Sequence, residues 1–248
     1  MHCPEPLFVA RTASTNSFLD ELCNRQPLPE LTCVYTAFQS DGRGQRGNSW
    51  ESEDGKNLLF SFVVFPTFLE VRRQFRLSQV TALALQEILS DYAEGIRIKW
   101  PNDIYWHDRK LCGTLIENDW TGSRVSRSIS GTGVNLNQER FVSDAPNPVS
   151  LYQITGQTYD PADVLRAVME RICQYYRLLQ AGDEETIARR YEERLYRREG
   201  WHPYRDEEGT FLARFVDVDP TGRLLLMDPQ QRVRAYYFKE VTFIHPQP

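Results

Sequence analysis

The chain has 248 residues, 41% of them hydrophobic and 25% charged, with a formal net charge of −5. That length accommodates one sizeable domain with a small appendage. The composition is that of an ordinary globular protein, the acidic balance offers no basic footprint for nucleic acid, no apolar run is long enough to span a membrane, and the N-terminus lacks the regions of a signal peptide.

The five cysteines, Cys3, Cys23, Cys33, Cys112 and Cys173, are scattered without a C-x-x-C pair. The four histidines do not pair at ligand spacing. Neither a metal site nor a disulfide framework is suggested, and a reducing, cytoplasmic compartment is expected.

Residues 7–10 read as a short strand. Ser14-Thr15-Asn16 then opens a helix with Phe18, Leu19 and Leu22 on one face. Ser14 there either caps the helix or meets a ligand, and both can hold, because a helix N-terminus also favours an anion. Residues 32–38 read as a buried strand running into a loop with Gly42, Arg43, Gly44, Arg46 and Gly47, ending at Trp50. The glycines permit close backbone approach. The arginines carry forked donors suited to phosphate or carboxylate. Such a loop either closes on an anion or is a solvated surface loop.

Residues 57–65 are apolar almost throughout, as in a central strand covered on both faces, and Pro66 ends them. Apolar spacing from Val71 through Phe75, Val80, Leu83 and Ile88 predicts a helix over 71–92. Residues 96–100 alternate as a strand that Pro101 and Asn102 break. The next strand, 110–117, follows a polar turn at His107-Asp108-Arg109. Residues 125–133 alternate again, and Gly131 and Gly133 are expected to bend the chain ahead of Asn135. Residues 138–147 are polar and irregular. Asp160-Pro161 starts a helix whose stripe, from Val164 to Leu179, is core. A charged helix over 184–198 has Ile187, Tyr191 and Leu195 as its seam. After Gly200, short strands are expected at 210–218, 224–227 and 233–238, with a turn at Asp219-Pro220-Thr221-Gly222.

Four stretches in this order resemble the biotin protein ligases: Ser14-Thr15-Asn16; the G-R-G-x-R-G loop of residues 42–47 ending in Trp50; K-W-P-N-D at 99–103 followed by K-L-x-G-x-L-x-E at 110–117; and G-x-G-x-N-x-N at 131–137. The resemblance covers about the first three-quarters of the chain. It implies an α+β fold: a mixed sheet flanked by helices, like the catalytic domain of class II aminoacyl-tRNA synthetases, in residues 1–200. A small C-terminal SH3-like β-barrel would occupy 201–248. Some members carry an N-terminal DNA-binding winged helix. This chain starts too close to Ser14 to hold one, so a ligase without a DNA partner is expected, as a monomer or homodimer.

The resemblance further implies a two-step reaction. Biotin's carboxylate attacks the α-phosphate of ATP, and a lysine of a biotin carboxyl carrier protein then attacks the adenylate. The first step needs positive charge where negative charge develops, and the second needs water excluded. By motif position, Arg43 grips the carboxylate and α-phosphate, and Lys110 stabilises the α-phosphate. Ser14, Thr15, Asn16 and Gln39 line the biotin pocket, with Gly42, Gly44, Gln45 and Gly113 beside it. Arg46, Trp50, Asn102 and Asn135 border the adenylate. Asp103 orients or deprotonates the incoming lysine. Mg²⁺ is expected with ATP, with no acidic cluster to name its ligands and no tightly bound metal.

Each assignment has a plainer counterpart. Lys110 at a strand end could simply pair with Asp108, Trp50 could anchor the core, and Asp103 could cap the turn after Pro101. Gln45 stands where many members have arginine, which removes a charge linked to retaining the adenylate. A lipoate or octanoyl transfer enzyme of the related fold, and a non-catalytic biotin-sensing module, are the alternative readings.

Overall fold

The computed structural model describes residues 4–44, 48–142 and 147–244. The chain runs β1 (Leu7–Thr12), α1 (Thr15–Arg25), β2 (Cys33–Gln39), β3 (Leu58–Val64), α2 (Phe75–Ser90), β4 (Ile96–Lys99), β5 (Asp103–Trp106), β6 (Arg109–Thr121), β7 (Arg124–Val134), α3 (Leu151–Thr155), α4 (Pro161–Gln180) and α5 (Glu184–Glu193). The five strands β8 (His202–Asp206), β9 (Gly209–Val218), β10 (Leu224–Met227), β11 (Val233–Tyr236) and β12 (Thr242–Phe243) complete it.

The larger sheet has the order β1-β2-β3-β7-β6-β5-β4. Its β1–β2 pair is parallel and the others antiparallel, so the sheet is mixed. The apolar β3 lies inside it between β2 and β7, buried at every position. Side chains alternate across a strand. Leu58, Phe60, Phe62 and Val64 therefore enter the main core with α2 and α4, whereas Val63 packs with Leu19 of α1, Val34 and Ile129 on the opposite face. The stripe on α4 is core as expected, and Asp160 caps that helix by accepting from Ala162 N at 2.8 Å.

Several expectations need correction. β5 was not anticipated. Four residues are too few to show a period, yet Asp103–Trp106 pairs with β4 on one side and β6 on the other. Gly131 and Gly133 do not bend the chain but lie inside β7, paired with Ser61 and Leu59 of β3. The charged helix stops at Glu193 because the next residues pair with strand β4. Ile98 N donates to Arg194 O (2.9 Å) and Tyr196 N to Ile98 O (2.8 Å). That tertiary ladder replaces the last helical turns. The short α3, with its Ser150/Gln153 capping box, also escaped the sequence pattern.

The C-terminal strands form an antiparallel sheet in the order β11-β10-β9-β8-β12. Among the described residues no pairing joins β11 to β12, so the expected barrel is an open sheet. Two of its strands, β8 and β12, were not expected. The second sheet seats on the first through Trp100, whose Nε1–H donates to Gly222 O at 3.0 Å and whose ring lies 6.2 Å from that of Phe238. One continuous apolar core includes residues of both sheets.

Candidate active site

Register places three rows of residues across β3, β7 and β6 on the face that carries α1. Leu59, Gly133 and Gly113 form one row; Ser61, Gly131 and Leu115 the next; Val63, Ile129 and Glu117 the third. The glycines leave the sheet bare where other groups must lie flat. A Cβ on Gly131 would overlap Asn16 Oδ1, and one on Gly133 would overlap the Trp50 indole. A Cβ on Gly113 would fall 2.8 Å from Trp50 Cζ3 and 3.1 Å from Lys110 Cε. Thus the G-x-G motif of β7 serves close packing rather than a turn.

Above this floor opens a cavity of about 710 Å³, lined among others by Ser14, Thr15, Asn16, Gln39, Arg43, Gly44, Trp50, Asn102, Asp103, Lys110 and Gly113. The fold brings these eleven residues, drawn from separate stretches of the chain, to one hollow. Gly42 and Asn135 are not among its lining residues. A Cβ on Gly42 would crowd Trp50 O at 2.7 Å, so its smallness serves the loop's own pairing. Asn135 Nδ2 donates to Val149 O at 3.1 Å beneath Lys110. Gln45 and Arg46 lie outside the described residues.

The N-terminus of α1 is not capped by the Ser14 side chain. Gln39 Oε1, from the end of β2, accepts from Thr15 N (2.8 Å) and Thr15 Oγ1 (3.0 Å) instead. This leaves the buried Ser14 free of capping duty at the cavity wall. Ser61 Oγ lies 2.6 Å from Asn16 Oδ1 and 2.7 Å from Thr15 Oγ1. A lone hydroxyl inside the apolar run of β3, Ser61 was a signal that the sequence reading passed over.

Residues 42–44 and 48–50 pair as the two arms of a small hairpin. Trp50 N donates to Gly42 O (2.8 Å), Gly44 N donates to Asn48 O (2.6 Å), and Arg43 bridges to Ser49. This brings Arg43 to the cavity, where its Nη2 pairs with Glu117 Oε2 at 3.1 Å. Trp50 turns its ring into the same cavity, and its Nε1–H has no hydrogen-bond partner among the described residues.

Lys110 pairs with Asp103, Nζ to Oδ2 at 2.7 Å, and not with Asp108. The β5–β6 register brings residues 103 and 110 onto the same side, whereas Asp108 accepts from the Tyr196 hydroxyl. Residues 147–149 fix the Lys110 backbone: Lys110 N donates to Asn147 O (2.7 Å) and Val149 N to Lys110 O (2.9 Å). Lys99, cross-strand from Asp103, is packed over the rings of Tyr105 (4.9 Å) and Phe243 (5.2 Å). Burial pushes its ammonium pKa down, and the Asp103 charge opposes that. Burial also raises the Cys112 thiol well above the usual range, so it is held neutral.

Phe238 and Lys239, from the loop after β11, also line the cavity. No motif marked them, because only the packing of the second sheet brings them there. Asp103 is the one carboxylate among the described lining residues. No three metal-binding side chains converge among the described residues. They do not fit a protein-held Mg²⁺, and each step below is assigned to side chains.

A mixed sheet with Arg43 and a lysine–aspartate pair opening on one polar and apolar hollow can hold an anion beside a carboxylate able to take a proton. The sequence model of the biotin/lipoate A/B protein ligase family matches residues 8–135, and the chain belongs to this family. A biotin–[acetyl-CoA-carboxylase] ligase of Paracoccus denitrificans is 30% identical over 90% of this chain and 95% of its own. The bifunctional ligase/repressor BirA of Bacillus spizizenii is 28% identical over 92% of this chain and 71% of its own. A biotin protein ligase from Aquifex aeolicus, solved in complex with biotin and ATP, superposes with a TM-score of 0.80. At 24% identity it covers 98% of this chain and 99% of its own. Among the described residues no helix is long and apolar enough to cross a membrane.

Proposed function

We propose that this chain is an ATP-dependent biotin–protein ligase acting on a biotin carboxyl carrier protein. The observation that carries the reading is that Arg43 and Lys110, 67 positions apart in the numbering, open onto one cavity whose floor is cleared by glycines. The named relatives support the choice of biotin.

Bringing a carboxylate to a triphosphate sets two anions against each other. Arg43 at the hairpin and Lys110 at the start of β6 neutralise that repulsion where the new bond forms, which is the dominant kind of catalytic stabilisation in such sites. The biotin oxygen bonds to the α-phosphorus as the bond to the pyrophosphate oxygen breaks. In the second step the carrier lysine, as a neutral amine, attacks the acyl carbon and AMP departs. Asp103 would take the proton of that amine once Lys110 has turned to the phosphate. Ser14, Thr15, Asn16 and Gln39 supply donors and acceptors for a ureido ring between apolar walls. Trp50, whose indole N–H has no partner among the described residues, and Asn102 border the nucleotide. Mg²⁺ would come with ATP. Residues 1–200 would act as the ligase domain and 201–248 as a small second domain, in a cytoplasmic monomer or homodimer.

Biotin-dependent exchange of labelled pyrophosphate into ATP tests the first step, and labelled transfer to a carrier domain the second. Exchange supported by octanoate or lipoate but not by biotin would move the chain to the lipoate branch of the family. No exchange with any acid would point to a binding module.

A further inference from the structure

Glu117 closes the third row of the sheet floor, beside Ile129 and one row from Leu115. One oxygen of its carboxylate, Oε2, serves two of the cavity's residues at once: Asn16 Nδ2 donates to it at 2.7 Å and Arg43 Nη2 at 3.1 Å. The Asn16 amide has no alternative orientation. Its Oδ1 takes the hydroxyl of Ser61, and its Nδ2 faces the Leu115 carbonyl (3.5 Å) as well as the carboxylate. A reversed amide would set oxygen against oxygen on that side. Both members of the Arg43–Glu117 pair are about two-fifths exposed, at 40% and 44%. A pair so hydrated is weak and easily exchanged.

We propose that Glu117 is a positioning residue that stands in for the ligand's anion. It holds the Arg43 guanidinium at the cavity edge, and an incoming carboxylate or phosphate takes Arg43 from it. The same oxygen keeps Asn16 turned toward Ser61 before and after the exchange. Glu117 thus sets a threshold that an uncharged molecule of the same shape does not meet. In its choice of ligand the inference rests on the biotin reading above.

The test compares wild type with Glu117→Gln, which keeps an acceptor for Asn16 but removes the charge facing Arg43. Two ligands are titrated by calorimetry: biotin, and the alcohol made by reducing its carboxyl group. Glu117→Gln should bind biotin roughly two- to five-fold tighter, the scale on which exposed ion pairs act, with the alcohol unchanged. In an Arg43→Gln background the gain should vanish. Equal changes for both ligands, or weaker biotin binding, would overturn the proposal and leave Glu117 acting only through Asn16. The pairing is also read without any ligand. The Arg43 side-chain Nε–H resonance, assigned by its loss in Arg43→Lys, should shift in Glu117→Gln. If wild type binds neither ligand, the biotin reading has failed, and this resonance alone decides: a shift supports the pairing and an unmoved signal rejects it.

Discussion

The Trp50 indole lies against Gly133, with no room for even a methyl group between them. Gly113, directly cross-strand from Gly133, clears the neighbouring space for the same ring. The ring's place in the cavity is therefore set by two absent side chains on the sheet below it.

Gly133→Ala should push the indole off the floor. The expected outcome is a folded protein with altered tryptophan fluorescence and pyrophosphate exchange reduced by about 10²-fold, the cost of misplacing a positioning group by an ångström or so. In a Trp50→Ala background the same glycine substitution should lower melting temperature less than it does in wild type, since the three atoms nearest the added methyl all belong to the indole.

Lys110 and Asp103 should separate by half-reaction. Lys110→Ala should abolish adenylate formation while biotin binding, read by calorimetry, changes less. Asp103→Asn should retain pyrophosphate exchange and slow transfer from preformed adenylate to the carrier by about 10²-fold, the contribution of a positioned base. With 31% and 24% of their side chains exposed, the pair should contribute under about 1 kcal/mol to stability. Equal transfer rates for wild type and Asp103→Asn would remove Asp103 from the second step.

Tyr191, fully buried on α5, donates its hydroxyl to Pro101 O at 2.6 Å and so ties that helix to the turn carrying Asn102 and Asp103. Tyr191→Phe strands a buried carbonyl and should destabilise by about 1–2 kcal/mol. In a chain this long, that is roughly 2–8 °C in melting temperature by calorimetry. Adenylation should weaken alongside, because the turn is loosened.

Glu192 of α5 faces Asp217 of β9. Burial is the main cause that pushes its carboxyl up to about 7, and the charge and hydrogen bonding of Asp217 add to the rise. A carboxyl that holds its proton more tightly folded than unfolded contributes stability that is complete below its ordinary value of 4.5 and is lost as pH rises through about 7. Glu192→Gln cannot titrate. Its melting temperature should therefore fall less than that of wild type between about pH 5 and about pH 8, a window set by that rise. Parallel melting curves for the two proteins would show that the carboxyl does not control the contact.

Residues of the candidate site were legible in the sequence wherever function needs a particular residue type in a particular local order. The glycines and arginine of the hairpin, Lys110 after its turn, and Ser14-Thr15-Asn16 at the start of α1 all declared themselves this way. Asp103 was named too, but for the carrier lysine and not as the partner of Lys110, for which Asp108 was the plainer alternative. Asp108 is the nearer carboxylate in sequence, whereas strand register brings Asp103 to the lysine. Ser61 and Glu117 each looked like one polar residue in a strand until rows from three strands were laid side by side.

The sequence by itself therefore determined the local alphabet: which segments are extended or helical, where the backbone must lie bare, and which side chains can carry charge to a ligand. Those properties follow from periodicity and from single-residue sterics, which act over a few neighbours. The tertiary structure alone decided who meets whom. Gln39 rather than Ser14 caps α1, the residues after Glu193 leave their helix to pair with β4, and Phe238 and Lys239 reach a cavity built by the other sheet. Each is a contest between groups distant along the chain, settled by register and by the requirement that buried polar groups find partners, and no local pattern encodes it.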